Sequence, residues 1–569
     1  MLTFRLMMFR RLFYPLQSKA DAKLCARCSG VFQIGRLALL FCWLALLFCW
    51  LALPLDALEV SGIFSSGMVL QEGVPVPVWG WADPGETVHV GFAGQEHSVT
   101  SSADGSWRVK LRALTTSSQG QSLTVKTGQQ SKVFEDVLVG EVWLCAGQSN
   151  MAMQVSKSAN PEVEMASAND PLLRYFAISG NLPREIPSGP MVREFPKFGQ
   201  DLKWKSISPA AVSELSAVGY FFARELRVKL KKPIGLVVVA RSGTIAETWV
   251  RAEVLNSDPV FSKFASRSQS WHDQNATHYR TKVAEARRAW REKCDDAIKN
   301  GQPKLLQPKD DPSLDPNLWA SVGFNTMISP IVGYAVRGVI WYQGEYNGSG
   351  EGGCAQGQDY QRLLTLLIGD WRKIWELDKM YFFIVQLANF GGGTVGNLDS
   401  SGWVEVREAQ AKVAQSVPDS GLAVTIDLGE TKRIHPLNKQ DVGRRLSFIA
   451  LSKTYGQSVA CFGPVFKSLT IENGEARLAF DHASGLKVKA GKPSAFALAG
   501  ADRKFFLANA SCEGETVKVS SLNVPKPVAV RYAWTQDPLA SLYNGADLPA
   551  SPFRSDDWPE LSWPSGPPK

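Results

Sequence analysis

Histidine is scarce in this chain: His89, His97, His272, His278, His435 and His482 are the six in 569 residues. Chemistry that needs an imidazole therefore has few places to reside. Cysteine is thin and badly spaced for metal. Beyond the first 57 residues only Cys145, Cys294, Cys354, Cys461 and Cys512 remain, an odd number that matches no zinc pattern. Cys294 with Cys354, or Cys461 with Cys512, could pair in an exported protein, while Cys145 reads as a buried thiol. Long basic runs are missing as well. Most of the formal net charge of +8 sits in residues 1–57, where Arg5, Arg10, Arg11, Lys19, Lys23, Arg27 and Arg36 outnumber Asp21 and Asp56. Nucleic-acid binding gains no support from the rest. The apolar run Leu37 to Leu53 is shorter than the ~20 residues of a spanning helix. With its basic flank and the Leu55-x-Ala57 site it reads as a signal peptide, or else an uncleaved anchor, and cleavage before Leu58 is the favoured reading. Export to a periplasm, a lysosome or the outside follows. Cys25 and Cys28 form a lone CxxC in this leader, too weak for a metal claim.

What is present is ordinary in bulk and pointed in detail. The hydrophobic fraction of 45% and charged fraction of 20% are those of a soluble globular protein, and the length suggests two or three domains. The apolar, β-prone run Val137 to Cys145 ends at Gly147-Gln148-Ser149-Asn150-Met151. A serine where a strand turns can present its hydroxyl at a sheet edge, with backbone N–H groups nearby to hold an anion. Ile234 to Ala240 is a second continuous apolar run, followed by Arg241-Ser242-Gly243-Thr244. Val336 to Trp341 is a third, ended by Tyr342-Gln343-Gly344-Glu345-Tyr346-Asn347. Phe382 to Leu387 is a fourth. Leu422 to Ile426 is a fifth, followed by Asp427-Leu428-Gly429-Glu430 and then Ile434-His435-Pro436. Continuous rather than alternating hydrophobicity marks parallel strands buried on both faces. In such sheets the ligand crevice lies beyond the carboxyl ends of the strands, so these polar clusters converge.

Gly-Gln-Ser-Asn-Met, Trp-Tyr-Gln-Gly-Glu and Ile-His-Pro-x-Asn-Lys, in this order, resemble the sialate O-acetylesterase family, a branch of the SGNH hydrolases. Phe64 to Gln71, Val78 to Trp81, Arg407-Glu408-Ala409-Gln410, Arg531 to Trp534 and Leu548-Pro549-Ala550 are similar to its other landmarks. The resemblance covers roughly everything after the leader. It implies an α/β fold: an SGNH-type parallel sheet flanked by helices, with N-terminal and C-terminal β-sandwich segments that pack together. It also implies an enzyme that removes O-acetyl groups from acetylated sugars, sialic acid or polysaccharide, through an acetyl-enzyme intermediate, without cofactor or metal.

The organisation agrees. Residues 1–57 form the leader and 58–138 an all-β domain, with Asp104-Gly105 as a hairpin turn. Residues 139–454 alternate strands with helical segments such as Ala217 to Leu230 and Tyr360 to Trp375. An insertion at about 253–318, with a charged helical stretch at Arg280 to Asn300, interrupts this alternation and is a possible cap over the site. Residues 455–569 return to β. Most of the 18 tryptophans are assigned to cores rather than to sugar platforms.

Ester hydrolysis needs a nucleophile, a base, a group that orients the base and donors for the oxyanion. Ser149 is the nucleophile. His435 alone among the histidines follows a strand of the parallel sheet and precedes a helix, Asn438 to Leu451, and it is the base. Many SGNH hydrolases place an aspartate three residues before that histidine, but here the position is Lys432. Asp427, directly ending the preceding strand, is the first choice of acid, Glu430 the second, and a Ser149–His435 dyad oriented by a backbone carbonyl the third. The oxyanion donors are the N–H groups of Ser149 and Gly243 and, by resemblance, the side-chain amide of Gln343. Gln148, Asn150, Glu345 and Asn347 are candidates to orient the substrate or its loops. A catalytically impaired carbohydrate-binding or scaffold protein on an esterase fold is the rival reading. A protease is disfavoured, since no second serine elbow of the Gly-x-Ser-x-Gly type occurs.

Overall fold

The computed structural model describes residues 58–178, 202–275, 279–303, 305, 315–350, 354–377, 379–391, 402–489 and 494–558. The leader, His278, most of the Pro- and Asp-rich stretch 303–316 and the tail beyond Trp558 lie outside them, as does the side chain of His272.

The first seven strands are short: β1 (Glu59–Val60), β2 (Val69–Gln71), β3 (Val76–Trp81), β4 (Thr87–Phe92), β5 (Gln95–Thr100), β6 (Ser106–Leu111) and β7 (Ser117–Lys126). One layer is the sheet β1-β3-β6; in the other, β4 pairs with β5 and β7. Strand β8 (Ser131–Gly147) then runs for 17 residues. Its first half pairs with β7 and β2, and its second half becomes the centre of the parallel sheet. The expected boundary between residues 138 and 139 therefore falls inside one strand. The two regions share a continuous core, in which Val88, Val90, Leu111 and Val125 join Val142, Leu144, Val237 and Trp341.

The main sheet continues with β9 (Asp170–Ile178), β10 (Lys205–Ile207), β11 (Ile234–Ala240), β12 (Gly338–Tyr342), β13 (Tyr381–Val385) and β14 (Ser420–Ala423). The order is β10-β9-β11-β8-β12-β13-β14, parallel except for the β9–β10 pair. All residues of β11 and β12 are buried, as the unbroken apolar runs require. Alternate residues serve opposite faces. On one face Cys145, Leu236, Val238 and Ile340 meet Val218, Phe222, Val442 and Leu446. On the other Leu144, Val237, Val339 and Trp341 meet Leu363, Leu367, Trp371 and Val413. The covering helices, after the short α1 (Ser149–Ala152), are α2 (Ala217–Leu230), α3 (Gly357–Trp375), α4 (Gly402–Ser416) and α5 (Lys439–Ile449). Each fully buried Leu or Phe of this kind contributes about 1.5–3 kcal/mol.

The expected insertion folds as helices at Ala252–Ser257, Ser262–Asn275 and Tyr279–Lys299. The C-terminal region has two four-stranded antiparallel sheets with a core of their own, containing Leu478, Val517, Leu498, Val530 and Tyr532. The N-terminal and C-terminal β segments therefore belong to separate cores, contrary to the expectation that they pack as one. Cys145, Cys294, Cys354, Cys461 and Cys512 form no disulfide, so neither of the possible pairings is present.

Arg407 on α4 joins the sheet edge to the C-terminal region. It is fully buried, and burial pulls its pKa down to about 9. Its guanidinium donates to the carbonyls of Leu387 (2.8 Å), Ala388 (2.7 Å), Thr535 (2.8 Å) and Gln536 (2.8 Å). Arg407→Met would strand these acceptors. A loss of about 3 kcal/mol or more is expected, read as a lower urea midpoint.

Candidate active site

The carboxyl ends of three adjacent strands are level. Gly147 of β8 stands opposite Ala240 of β11 on one side and Tyr342 of β12 on the other. Arg241 N donates to Gly147 O (3.0 Å) and Gln148 N to Tyr342 O (2.9 Å), so the three turns leave the sheet side by side. Gly147 has φ +143°, and a Cβ there would sit 2.1 Å from Tyr342 O; only glycine allows the strand to turn so close to its neighbour. Ser149 follows as the first residue of α1 and is half-buried. Ser216 Oγ accepts from Gly219 N at the start of α2 and donates to Met151 O (2.6 Å), bracing the turn from below. Gly243 has φ +76°, and a Cβ there would meet nothing within 4 Å but the Asn317 amide. Neither Ser149 nor Gly243 donates its backbone N–H to an acceptor among the described residues.

His435 lies on the loop before α5 and is half-buried. Asn150 Nδ2 donates to Ile434 O (3.0 Å), so the residue after Ser149 is bonded directly to the residue before His435. Burial, and then the charge of Lys439, lower the His435 pKa from its ordinary value.

Asp427 is placed otherwise than the sequence suggests. Strand β14 ends at Ala423, so Asp427 does not terminate it. The apolar run misled because it serves two cores: Ala423 packs against the sheet, whereas Ile426 is buried in the C-terminal core. Both Asp427 oxygens accept from Arg445 (2.6 and 2.8 Å), and Tyr543 Oη adds a third bond (3.0 Å). Glu430, the second choice, accepts from Leu437 N (2.8 Å) and pairs with Arg433 (3.3 Å). Neither carboxylate is hydrogen-bonded to His435.

The Gln343 amide is also committed. It is fully buried, and Nε2 donates to Thr244 O (3.1 Å) and Asn347 Oδ1 (2.7 Å), while Oε1 accepts from Tyr360 Oη (2.9 Å). It braces the turns and has no donor left for an oxyanion. Gln148, Asn150, Glu345 and Asn347 are buried likewise. Gln148 Oε1 accepts from Gly344 N (3.2 Å); Asn347 bonds Ala246 N (3.0 Å) and the buried carboxylate of Glu247 (3.1 Å). These side chains hold loops to one another rather than lining an open crevice. Sequence reasoning missed two residues. Asn317, at the exit of the insertion, accepts from Arg241 Nε (3.0 Å), and its Nδ2 lies 3.9 Å from where a Gly243 Cβ would be. Lys439 is buried and donates to Asn150 Oδ1 (2.6 Å).

The family model described as "Carbohydrate esterase, sialic acid-specific acetylesterase" matches residues 139–295 and 324–447. A carbohydrate acetylesterase from Xanthomonas citri, of known crystal structure, is 33% identical and superposes with a TM-score of 0.72, covering 88% of this chain and all of that one. The chain belongs to the sialic acid-specific acetylesterase family of carbohydrate esterases. It is also similar to the sialate O-acetylesterase of Mus musculus, 29% identical over 538 residues, with 85% of this chain and 92% of that protein covered. For that of Homo sapiens the identity is 26% over 537 residues, covering 87% and 91%.

The family match runs through the first part of the expected insertion, to residue 295, and resumes at residue 324. Within this esterase Asp427 belongs to an ion pair that binds α5 to the C-terminal region through Tyr543. Both pair members are largely buried, with side chains 6% and 11% exposed. Asp427→Asn is therefore expected to cost about 3–5 kcal/mol of stability, because it leaves Arg445 buried and unpaired. Below the melting temperature, kcat should stay within about tenfold of wild type. Thermal melts and steady-state kinetics on the same sample check both halves.

Proposed function

We propose that this carbohydrate esterase is a serine hydrolase of the SGNH type that deacetylates sugars with Ser149 as nucleophile and His435 as general base. The observation that carries this reading is the hydrogen bond from Asn150 to Ile434, which sets the serine turn and the histidine loop against each other at the head of the sheet. Ser149 Oγ attacks the acetyl carbonyl carbon while His435 takes its proton. The C–O bond to the sugar then breaks, and His435 returns the proton to the departing sugar oxygen. Water, deprotonated by the same imidazole, hydrolyses the acetyl-enzyme and releases acetate.

The free N–H groups of Ser149 and Gly243 would hold the oxyanion, and the Asn317 amide is our replacement for Gln343 as third donor. With both carboxylates committed elsewhere, the pair works as a dyad, which was the third option open from the sequence. The pKa of His435, lowered by burial and then by Lys439, keeps the imidazole neutral and able to accept a proton at neutral pH. The substrate class is an acetylated sugar. The names of the murine and human relatives favour acetylated sialic acid, while that of the Xanthomonas citri esterase leaves other acetylated carbohydrates in view. Export of the chain follows from its basic and apolar leader. No helix among the described residues is long and apolar enough to cross a membrane.

Hydrolysis of p-nitrophenyl acetate and of an acetylated sugar tests the assignment. Ser149→Ala should lower kcat by roughly a thousandfold or more with an unchanged melting temperature. Asn317→Ala should lower kcat by about a hundredfold, the usual scale for one oxyanion donor. Near-wild-type turnover by a folded Ser149→Ala protein would refute the nucleophile.

A further inference from the structure

Lys439 sits where stability alone would not put it. It is the first residue of α5, where the helix dipole disfavours a cation. It is fully buried, where an ammonium is costly. It forms no ion pair among the described residues; its partners are Asn150 Oδ1 (2.6 Å) and the face of the Tyr342 ring, 5.3 Å from its centroid. The same Asn150 amide donates to Ile434 O (3.0 Å) and to the buried carboxylate of Glu345, whose second oxygen has no hydrogen-bond partner. One asparagine side chain thus ties the nucleophile turn, the base loop, the β12 turn and the head of α5 together, and Lys439 orients that asparagine.

We propose that Lys439 is a positioning residue of the esterase: through Asn150 it locks the Ser149 turn to the His435 loop, and its charge sets the field in which His435 works. The proposal rests on the Ser149–His435 reading.

Among the described residues the charged surroundings of His435 are few. Glu430 and Arg433 in the preceding turn pair with each other, Lys432 beside them is exposed, Asp427 is neutralised by Arg445, and Asp537 is tied to Asn389 (2.9 Å). Glu345 approaches from the β12 turn, and burial raises its carboxyl above the ordinary range. Burial also lowers the Lys439 amine to about 7, against the attraction of Glu345 and Glu430. Lys439 is therefore a cation over the acidic range in which His435 titrates. Burial, and then this neighbouring cation, favour neutral imidazole, so the acidic limb of kcat/KM lies below the ordinary histidine value of about 6.5. Without the cation that limb moves to higher pH.

The test is the pH profile of p-nitrophenyl acetate hydrolysis by full-length wild type, Lys439→Met, Lys439→Arg and Asn150→Ser, with thermal melting of each. Lys439→Met should lower kcat by about a hundredfold at little change in KM, melt no lower than wild type, and show its acidic limb at higher pH. Lys439→Arg, which keeps the charge, should keep the limb. Asn150→Ser should lower kcat and leave KM, whereas a substrate-binding asparagine would raise KM. A histidine NMR titration of Lys439→Met reads the His435 shift independently of turnover. A folded Lys439→Met protein with kcat and limb within twofold of wild type overturns the proposal, as does a rise in KM alone in Asn150→Ser. If Lys439→Met fails to fold, Asn150→Ser decides. Ser149→Ala separates the two levels. If it remains active, the underlying reading fails; if it is dead while the limb of Lys439→Met stays at the wild-type pH, only the role of Lys439 fails.

Discussion

Strand β8 is the constraint on which the molecule depends. Its first half completes the N-terminal β layers and its second half is the middle of the main sheet, so the two regions share a backbone ladder and a core. A strand hydrogen-bonded along both edges cannot slip by one residue without turning every buried side chain to the wrong face. That rigidity fixes Gly147 between Ala240 and Tyr342, and hence where Ser149 leaves the sheet. Where the same strand enters the parallel sheet, Glu141 is buried and held by Arg337 (2.8 and 3.1 Å) and Gln71 (3.1 Å). The central strand is thus pinned at its polar entry and at its glycine exit.

Above the sheet the polar residues divide by burial. Gln148, Gln343, Asn347 and Glu247 are buried and bonded to one another's loops, while Ser149, His435, Gly243 and Asn317 keep partial exposure. Buried amides suit the first task because each offers two donors and an acceptor, enough to join separate turns. Unsatisfied, they would be costly, so the network is all-or-none and holds the exposed groups in place.

The C-terminal β region takes part in this arrangement. Arg407 binds its Thr535 and Gln536 carbonyls, Asn389 binds Asp537, and Asn389 Oδ1 also accepts from Gly429 N (2.8 Å) in the segment leading to His435. Asp427, through Arg445 and Tyr543, adds a further tie. The loop carrying His435 is therefore braced by residues more than a hundred positions away.

The sequence by itself determined the family, the parallel sheet and where the Ser149 turn leaves it. Continuous apolar runs have one common explanation, and Gly-Gln-Ser-Asn-Met is a local motif at a strand end, whereas Ile-His-Pro lies on a long loop well beyond β14. The helices Ala217–Leu230 and Gly357–Trp375 were legible from their 3.6-residue period. Partners were decided only by the tertiary structure. Asp427 looked like a strand-end acid because Leu422 to Ile426 is uniformly apolar, yet that run passes from one core to another. Gln343 looked like a donor, but its hydrogen bonds depend on Thr244 and Tyr360, which the sequence does not place beside it. Asn317 and Lys439 carried no one-dimensional signal beyond the Asn-Lys that follows His435. What a polar side chain does is set by which groups remain to bond it, and that inventory exists only once the chain has folded.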